Sequence, residues 1–345
     1  GPTVRATLTT TFAGWKRGLL LHPGAGRAGL VKLVDIGVPD SATREGITVF
    51  LLDASDIRPL FPPREADAHK GAFGHLLVVA GSVGKTGAAA LAGRAALRTG
   101  AGLVTIAAPL SQQPIIAALG METMTEPLPE TPSQSLSLKA KGRILELAQR
   151  TDAIALGPGL GLDPETQSLV KDLVAEAERP MVVDADGLTA LAGHLDLLRN
   201  APAPRCLTPH PGEMARLLGR TVAEVQSNRI EEVRAFCQRY GAFLVLKGAG
   251  SVIGEPGGEI YINPTGNPGM ASGGSGDVLT GMVGALLARG RDPLPALQAA
   301  VYLHGLAGDL ARDAKGEEGL IAGDILAAIP AAILTVQRGG SRAAV

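Results

Sequence analysis

The chain has 345 residues, a formal charge of −1 and only 3% aromatic residues. That balance offers neither a basic face nor a platform of rings, which excludes nucleic-acid partners. Cys206 and Cys237 are too few and too far apart for a disulfide framework or a zinc cluster, and no apolar run reaches membrane-spanning length, so a cytoplasmic protein without a membrane partner is expected.

In chain order, residues 1–40 read as a fragment. RATLTTTF alternates threonine with apolar residues and predicts a strand, and KLVDIGVPD predicts a second short one ending on a turn. Between them Gly24, Gly26 and Gly29 fit GxGxxG, but a β-rich run follows instead of a helix, and no acidic residue sits at the expected distance. The dinucleotide fingerprint is therefore rejected. Residues 41–54 read as a linker, and Leu60-Phe61-Pro62-Pro63-Arg64 is a proline stop. Leu76–Ala80 is a buried strand, Gly81–Gly87 a turn, Ala88–Thr99 an alanine-rich helix and Leu103–Ala107 the next strand. That order is a βαβ unit. GSVGKT imitates a phosphate-binding loop of the Walker type, yet the glycine required five residues before Gly84 is Val79, inside the strand.

Residues Gln112–Leu138 are rich in proline, serine and threonine and show no period. A helix and a strand then lead to Gly157-Pro158-Gly159-Leu160-Gly161, at a strand end where ligands collect in open α/β sheets. A helix over Pro164–Ala177 precedes MVVDADGLTAL, a strand with Asp184 and Asp186 at its carboxyl end, both on one side. Metal ligation and turn or cap duty both remain open for this pair. In TPHPGE, His210 lies between two prolines at a strand–helix junction, which predicts a rigidly aimed side chain. Glu213 falls at a helix start, where it either partners the helix dipole or helps to hold Mg²⁺ through water. No second histidine follows at helical spacing, so a metalloprotease motif is excluded. A helix over Val222–Arg239 precedes the strand Phe243–Leu246, which ends in Lys247-Gly248-Ala249-Gly250-Ser251. SVIGEPGGEIYI reads as a hairpin.

The densest signal is Asn263–Gly281, NPTGNPGMASGGSGDVLTG, with six glycines and two prolines. An apolar helical run starts at Asp277. A glycine-rich turn feeding a helix presents free N–H groups and the positive end of the dipole, a combination that suits phosphate oxygens. Asp277 is the only carboxylate in the stretch. A lone aspartate at such a place is most often a cap, but a cap needs one special residue and not six glycines. The chain closes with helices from Pro295, including Val301–Leu310, then Ile321–Leu334, and a frayed tail over 337–345. Strand–helix alternation from 75 to 255 predicts a doubly wound α/β sheet flanked by helices on both faces.

The run MASGGSGDVLTGMVGALLARG resembles the signature of the NAD(P)H-hydrate dehydratases, a branch of the ribokinase-like superfamily. His69-Lys70-Gly71, Gly87-Ala88-Ala89, GPGLG, TPHPGE and KGAGS follow the family's order, so the likeness covers about 55–340. It implies a ribokinase-like domain over 55–336 that dehydrates the 6S form of hydrated NADH or NADPH. The co-substrate would be ADP, or ATP, giving AMP or ADP and phosphate, with Mg²⁺ present. By the same resemblance Asp277 is the catalytic base, and Ala88, Ala89, Gly159, His210 and Asp277 surround the substrate. Lys247, Gly248, Ala249, Gly250 and Ser251, with Gly273, Gly274, Ser275 and Gly276, surround the nucleotide. Glu213 is the candidate metal contact, and a homotetramer is implied. Ser272 and Thr189 stand where the family more often has threonine and asparagine. Residues 1–40 resemble the end of the epimerase domain of bifunctional hydrate-repair proteins, through TTTF, Lys16, Gly18, Leu19 and DIGVP. The catalytic part of that domain is missing, so no epimerase activity and no chemistry are expected from this segment. One rival is a small-molecule kinase resembling hydroxyethylthiazole kinases, which would share GSGD but lack HKG and TPHPGE as a set. Another is a non-catalytic nucleotide-binding module, which would not need Asp277 in a glycine nest.

Overall fold

Short, nearly continuous apolar runs such as LLVV at 76–79, AIAL at 153–156 and FLVL at 243–246 must be covered from both faces. They form the middle of a ten-stranded sheet in the computed structural model, which describes residues 3–39, 41 and 45–340. The strands are β1 (Leu8–Phe12), β2 (Leu30–Val34), β3 (Val49–Leu51), β4 (His75–Val79), β5 (Leu103–Pro109) and β6 (Met124–Leu128), followed by β7 (Ala153–Leu156), β8 (Met181–Val183), β9 (Arg205–Leu207), β10 (Phe243–Leu246), β11 (Val252–Gly254) and β12 (Ile260–Ile262). The large sheet runs β3-β12-β11-β10-β9-β8-β7-β4-β5-β6. Only β11 lies antiparallel to its neighbours. The expected doubly wound sheet is the fold.

Alternate residues of each strand feed two separate cores. Val78 and Val182 face the helices Thr86–Thr99, Ser275–Ala288, Pro293–Lys315 and Ala322–Gln337, whereas Leu77, Val79 and Val183 face Pro164–Glu176 and Arg229–Tyr240 on the other side. The Ser275–Ala288 helix is pressed close to its surroundings. A Cβ at Gly281 would lie 2.1 Å from the Ala92 carbonyl oxygen, and one at Gly284 would lie 2.9 Å from Leu76. Glycine at these two positions seats the helix directly over β4. From β4 the chain winds outward through β5 and β6, then returns to β7 and continues the opposite way to β10. This reversal opens a crevice at the carboxyl ends of β4, β7, β8, β9 and β10.

Several local expectations change. The aperiodic stretch 112–138 holds a helix, Gln113–Leu119, and the edge strand β6. Pro127 within β6 is tolerated because an edge strand has a side with no ladder bonds to lose. The helix expected over Val222–Arg239 is two helices, Val222–Ser227 and Arg229–Tyr240, because Asn228 leaves the helical region at φ −145°. The helix expected over Val301–Leu310 is longer, Pro293–Lys315. β3 lies inside the stretch read as a linker and adds the terminal strand beside β12. Residues 42–44 of that stretch and 341–345 of the expected tail lie outside the described residues.

β1 and β2 pair in parallel as a separate two-stranded ribbon. The segment between them reaches the main domain, where Leu20 and Leu21 pack on the core. A Cβ at Gly250 would lie 3.0 Å from Leu21 Cδ2 and 3.2 Å from the Leu20 carbonyl oxygen. Cys206 and Cys237 are free and buried. No helix among the described residues is long and apolar enough to cross a membrane.

Candidate active site

Six segments converge at the crevice. β8 delivers Asp184, which is 1% exposed. The next residue, Ala185, adopts φ +51°, a strained conformation for alanine that turns the chain sharply into the helix Asp186–Leu191. β10 leads into Lys247, whose Nζ lies 2.8 Å from Asp184 Oδ1 and 3.8 Å from Glu213 Oε2. Thr280, one turn into the Ser275–Ala288 helix, donates its hydroxyl to Asp184 Oδ2 at 2.7 Å. Gly276 lies over the pair: a Cβ there would begin 3.4 Å from Lys247 Nζ and 3.5 Å from Asp184 Oδ2. A carboxylate this deeply buried is tolerated because it is both paired and hydrogen-bonded.

Asp277 is the third residue of a helix that starts after Gly274, itself at φ +89°. Its carboxylate accepts no hydrogen bond from any described residue, so it is not the cap that a lone aspartate most often provides. The amides of Gly273, Gly274, Gly276 and Asp277 find no acceptor among the described residues either. Burial pushes the Asp277 carboxyl up to about 6, the charges of Asp184 and Asp186 push the same way, and Lys247 opposes them. Burial alone would lower the Lys247 ammonium, but Asp184, Glu213 and Asp277 outweigh it and raise it. A half-buried carboxylate with free oxygens, titrating close to neutrality, is equipped to take a proton.

The helix start is held from behind. His304, on the Pro293–Lys315 helix, has Nε2 3.0 Å from the Ser275 carbonyl oxygen. Burial lowers its imidazole to about 4, so the ring is neutral near pH 7 and donates its N–H to that carbonyl. Asp309, further along the same helix, accepts from the Gly266 amide at 3.0 Å and from Asn267 Nδ2 at 2.9 Å, which anchors the loop before the nest.

His210 is the N-cap of the helix Pro211–Leu218. Its Nδ1 accepts from the Gly212 and Glu213 amides at 3.0 and 3.2 Å, and Glu213 Oε2 returns the contact to the His210 amide at 2.7 Å. The ring is thus fixed, as the flanking prolines predict, while 56% of the side chain stays exposed. The Lys247 amide donates to the Pro209 carbonyl at 2.9 Å, tying TPHPGE to KGAGS. At the neighbouring strand ends, Lys85 Nζ and the Gly161 amide both reach Asp186 Oδ2, at 2.8 and 2.9 Å. Gly159 packs under Ala88, to which a Cβ would come within 3.1 Å, and Ala89 is wholly buried against Gly81.

Residues 76–331 match the family model described as NAD(P)H-hydrate dehydratase. The chain belongs to the NAD(P)H-hydrate dehydratase family. It is 48% identical over 331 residues to a bifunctional NAD(P)H-hydrate repair enzyme of Moorella thermoacetica, an alignment covering 96% of this chain and 62% of that protein. The chain therefore spans less than two thirds of that relative's length. Among solved structures, the ADP/ATP-dependent NAD(P)H-hydrate dehydratase of Bacillus subtilis, co-crystallized with ATP/Mg²⁺, superposes with a TM-score of 0.71 at 32% identity, over 84% of this chain and all of that one. A ribokinase-like superfamily protein of Enterococcus faecalis superposes with a TM-score of 0.72 at 26% identity, over 84% of this chain and 97% of its own.

For a member of the dehydratase family, the sequence motifs locate most of the crevice: Gly159, His210, Glu213, Lys247 and Gly273–Asp277 all lie at strand ends or helix starts around it. Ala89 stands back in the core. His304 and Asp309 stand out in the sequence of the closing helix but without a role, whereas Thr280 and Arg229, the latter described below, do not stand out. Thr280 leaves a trace only in sitting four residues after Gly276 and therefore on the same helix face. No group of three His, Cys, Asp or Glu side chains among the described residues forms a metal cage. Asp184 and Asp186 are engaged by Lys247, Thr280, Lys85 and Gly161. Such a donor set fits only a cation that keeps its waters and rides on substrate phosphates, as Mg²⁺ does.

Proposed function

We propose that this chain restores NADH or NADPH from its 6S hydrate at the expense of ADP or ATP. The single observation that carries this reading is the Asp277 carboxylate, unbonded, half-buried and raised to about 6, inside a nest of free amides. Asp277 takes the proton of the ring hydroxyl as that oxygen attacks the terminal phosphoryl group of the nucleotide. The O–P bond to the nucleotide breaks, releasing AMP from ADP, or ADP from ATP. The free amides of Gly273, Gly274, Gly276 and Asp277 face the developing negative charge. Phosphate then leaves the ring carbon as the adjacent carbon loses a proton, which regenerates the dihydronicotinamide. Glu213 would hold Mg²⁺ through water, and the ion would neutralise charge on the nucleotide phosphates.

In this reading Lys247 and residues 248–251 bind the adenine nucleotide, His210 faces the hydrated dinucleotide, and Ala88 and Gly159 shape the floor beneath it. The assembly is a homotetramer in the cytoplasm, a state that light scattering coupled to gel filtration measures. A kinase of the hydroxyethylthiazole type would use the same base, but it would leave a phosphate ester as its product. Incubating the protein with hydrated NADH and ADP, then with ATP, distinguishes the two. Return of the NADH absorbance with equimolar phosphate supports dehydration. A stable phosphorylated alcohol with no NADH would replace it by the kinase.

A further inference from the structure

Arg229 opens the Arg229–Tyr240 helix and is 7% exposed. Its guanidinium meets carbonyls only. Nη1 donates to Ala249 at 2.8 Å, and Nη2 to Leu246 at 3.0 Å and Lys247 at 3.4 Å. Nε is buried without an acceptor, and no carboxylate among the described residues pairs with the charge. Gly248, at φ +137°, permits this approach, because a Cβ there would lie 3.3 Å from Nη2.

The carbonyl and the N–H of one trans peptide point in opposite directions. Fixing the Lys247 and Ala249 carbonyls on Arg229 therefore turns the Gly248 and Gly250 amides to the other face of the loop. Those two amides find no acceptor among the described residues. An uncompensated buried cation is costly by itself, and the cost falls when an anion settles nearby. Arg205 supplies the contrast. It too is buried and bonds carbonyls, of Val174, Ala177, Arg179 and Ala203, but it sits at the start of β9, away from the crevice.

We propose that Arg229 is the positioning residue of the nucleotide loop: its fork presents the Gly248 and Gly250 amides to the phosphates of a nucleoside diphosphate and sets an unbalanced positive charge beneath them. The inference rests on reading residues 248–251 as the nucleotide segment.

The test compares Arg229→Met, Arg229→Lys and Arg205→Met by titration with ADP and AMP, kinetics on hydrated NADH, and amide hydrogen exchange. Arg229→Met raises Kd and KM for ADP by about tenfold or more, weakens AMP less, and leaves kcat within about threefold. Arg229→Lys keeps the charge but not the fork, and recovers part of that loss. Arg205→Met lowers the melting temperature without altering the ADP-to-AMP ratio. Equal weakening of ADP and AMP in Arg229→Met, or unchanged ADP affinity, overturns the proposal. If Arg229→Met does not fold, an unchanged KM for ADP in Arg229→Lys overturns it instead. Exchange separates the two levels. If ADP fails to protect amides 248–251 in the unmodified protein, the nucleotide reading of the loop falls. If it protects them there and Arg229→Met binds ADP normally, only the role of Arg229 falls.

Discussion

Lys247 Nζ and Asp184 Oδ1 meet at 2.8 Å across the ends of two strands that β9 separates. The lysine that the family resemblance assigns to the nucleotide is thereby engaged by a buried carboxylate. Its attraction for Asp277 is offset by the repulsion of that same partner. Burial is therefore left to push the Asp277 carboxyl up to about 6, with Asp184 and Asp186 adding to it.

The pair gives a pH prediction. kcat/KM of the unmodified protein should fall on the acid side with a limb near 6, where Asp277 becomes protonated. Asp184→Asn removes a negative neighbour and leaves Lys247 only Glu213, at 3.8 Å, as a close partner, and both effects favour ionised Asp277. The limb should therefore move to lower pH while stability drops. A limb that stays in place in a folded variant would remove Asp184 from the tuning of the base.

Asp277→Asn should reduce turnover by orders of magnitude while ADP affinity is nearly kept, since the amide nest remains. It should also be the more stable protein at pH 7.5. A folded-state carboxyl at about 6, against an ordinary value of 3.8, means that the native state binds the extra proton between those limits. Stability is lost as pH rises through that window, and the full penalty, roughly 1–3 kcal/mol, applies above it. Thermal melts of both proteins at pH 5 and pH 7.5 measure this. A variant that is less stable at pH 7.5 contradicts the burial account of Asp277.

His210 has two separable duties, because its Nδ1 caps a helix while much of the ring is exposed. His210→Ala should lose the cap, about 1 kcal/mol, and raise the KM of the hydrate. His210→Asn keeps a capping oxygen, so its melting temperature should stay near that of the parent while the hydrate KM still rises. ADP binding should be unchanged in both, by calorimetry. A normal hydrate KM in His210→Asn would make His210 a cap alone.

A chain starting at Ser41 should keep its kcat, since no described residue before it makes a hydrogen bond or ion pair with Asp277. It should lose Leu20 and Leu21 from beside Gly250, which loosens the loop over residues 248–251. The expected signature is a few-fold higher KM for ADP and faster amide exchange in that loop. Unchanged exchange would show that the loop holds its shape without the two leucines.

The crevice was legible where its chemistry is contiguous in the chain. Glycine runs, strand-end aspartates and paired prolines announce themselves because the backbone needs them at particular turns. The supports were not legible. Thr280 meets Asp184 across 96 positions, His304 meets Ser275 across 29, and Arg229 meets Ala249 across 20. Each is an ordinary residue in a helix, and only packing reveals what its polar end touches. The break at Asn228 was missed for a related reason: a local period cannot register that Arg229 must turn inward. β6 was missed because an edge strand needs only half the apolar pattern of a central one.

The contact of Leu20 and Leu21 with Gly250 also bears on how this protein can be cut and rejoined. Boundaries drawn by motif place residues 55–336 in one unit and the first forty in another. The wall of the glycine loop crosses that line. A graft of the later unit onto a new carrier must bring a substitute for two leucines and a backbone carbonyl, or its 248–251 loop begins with one side bare.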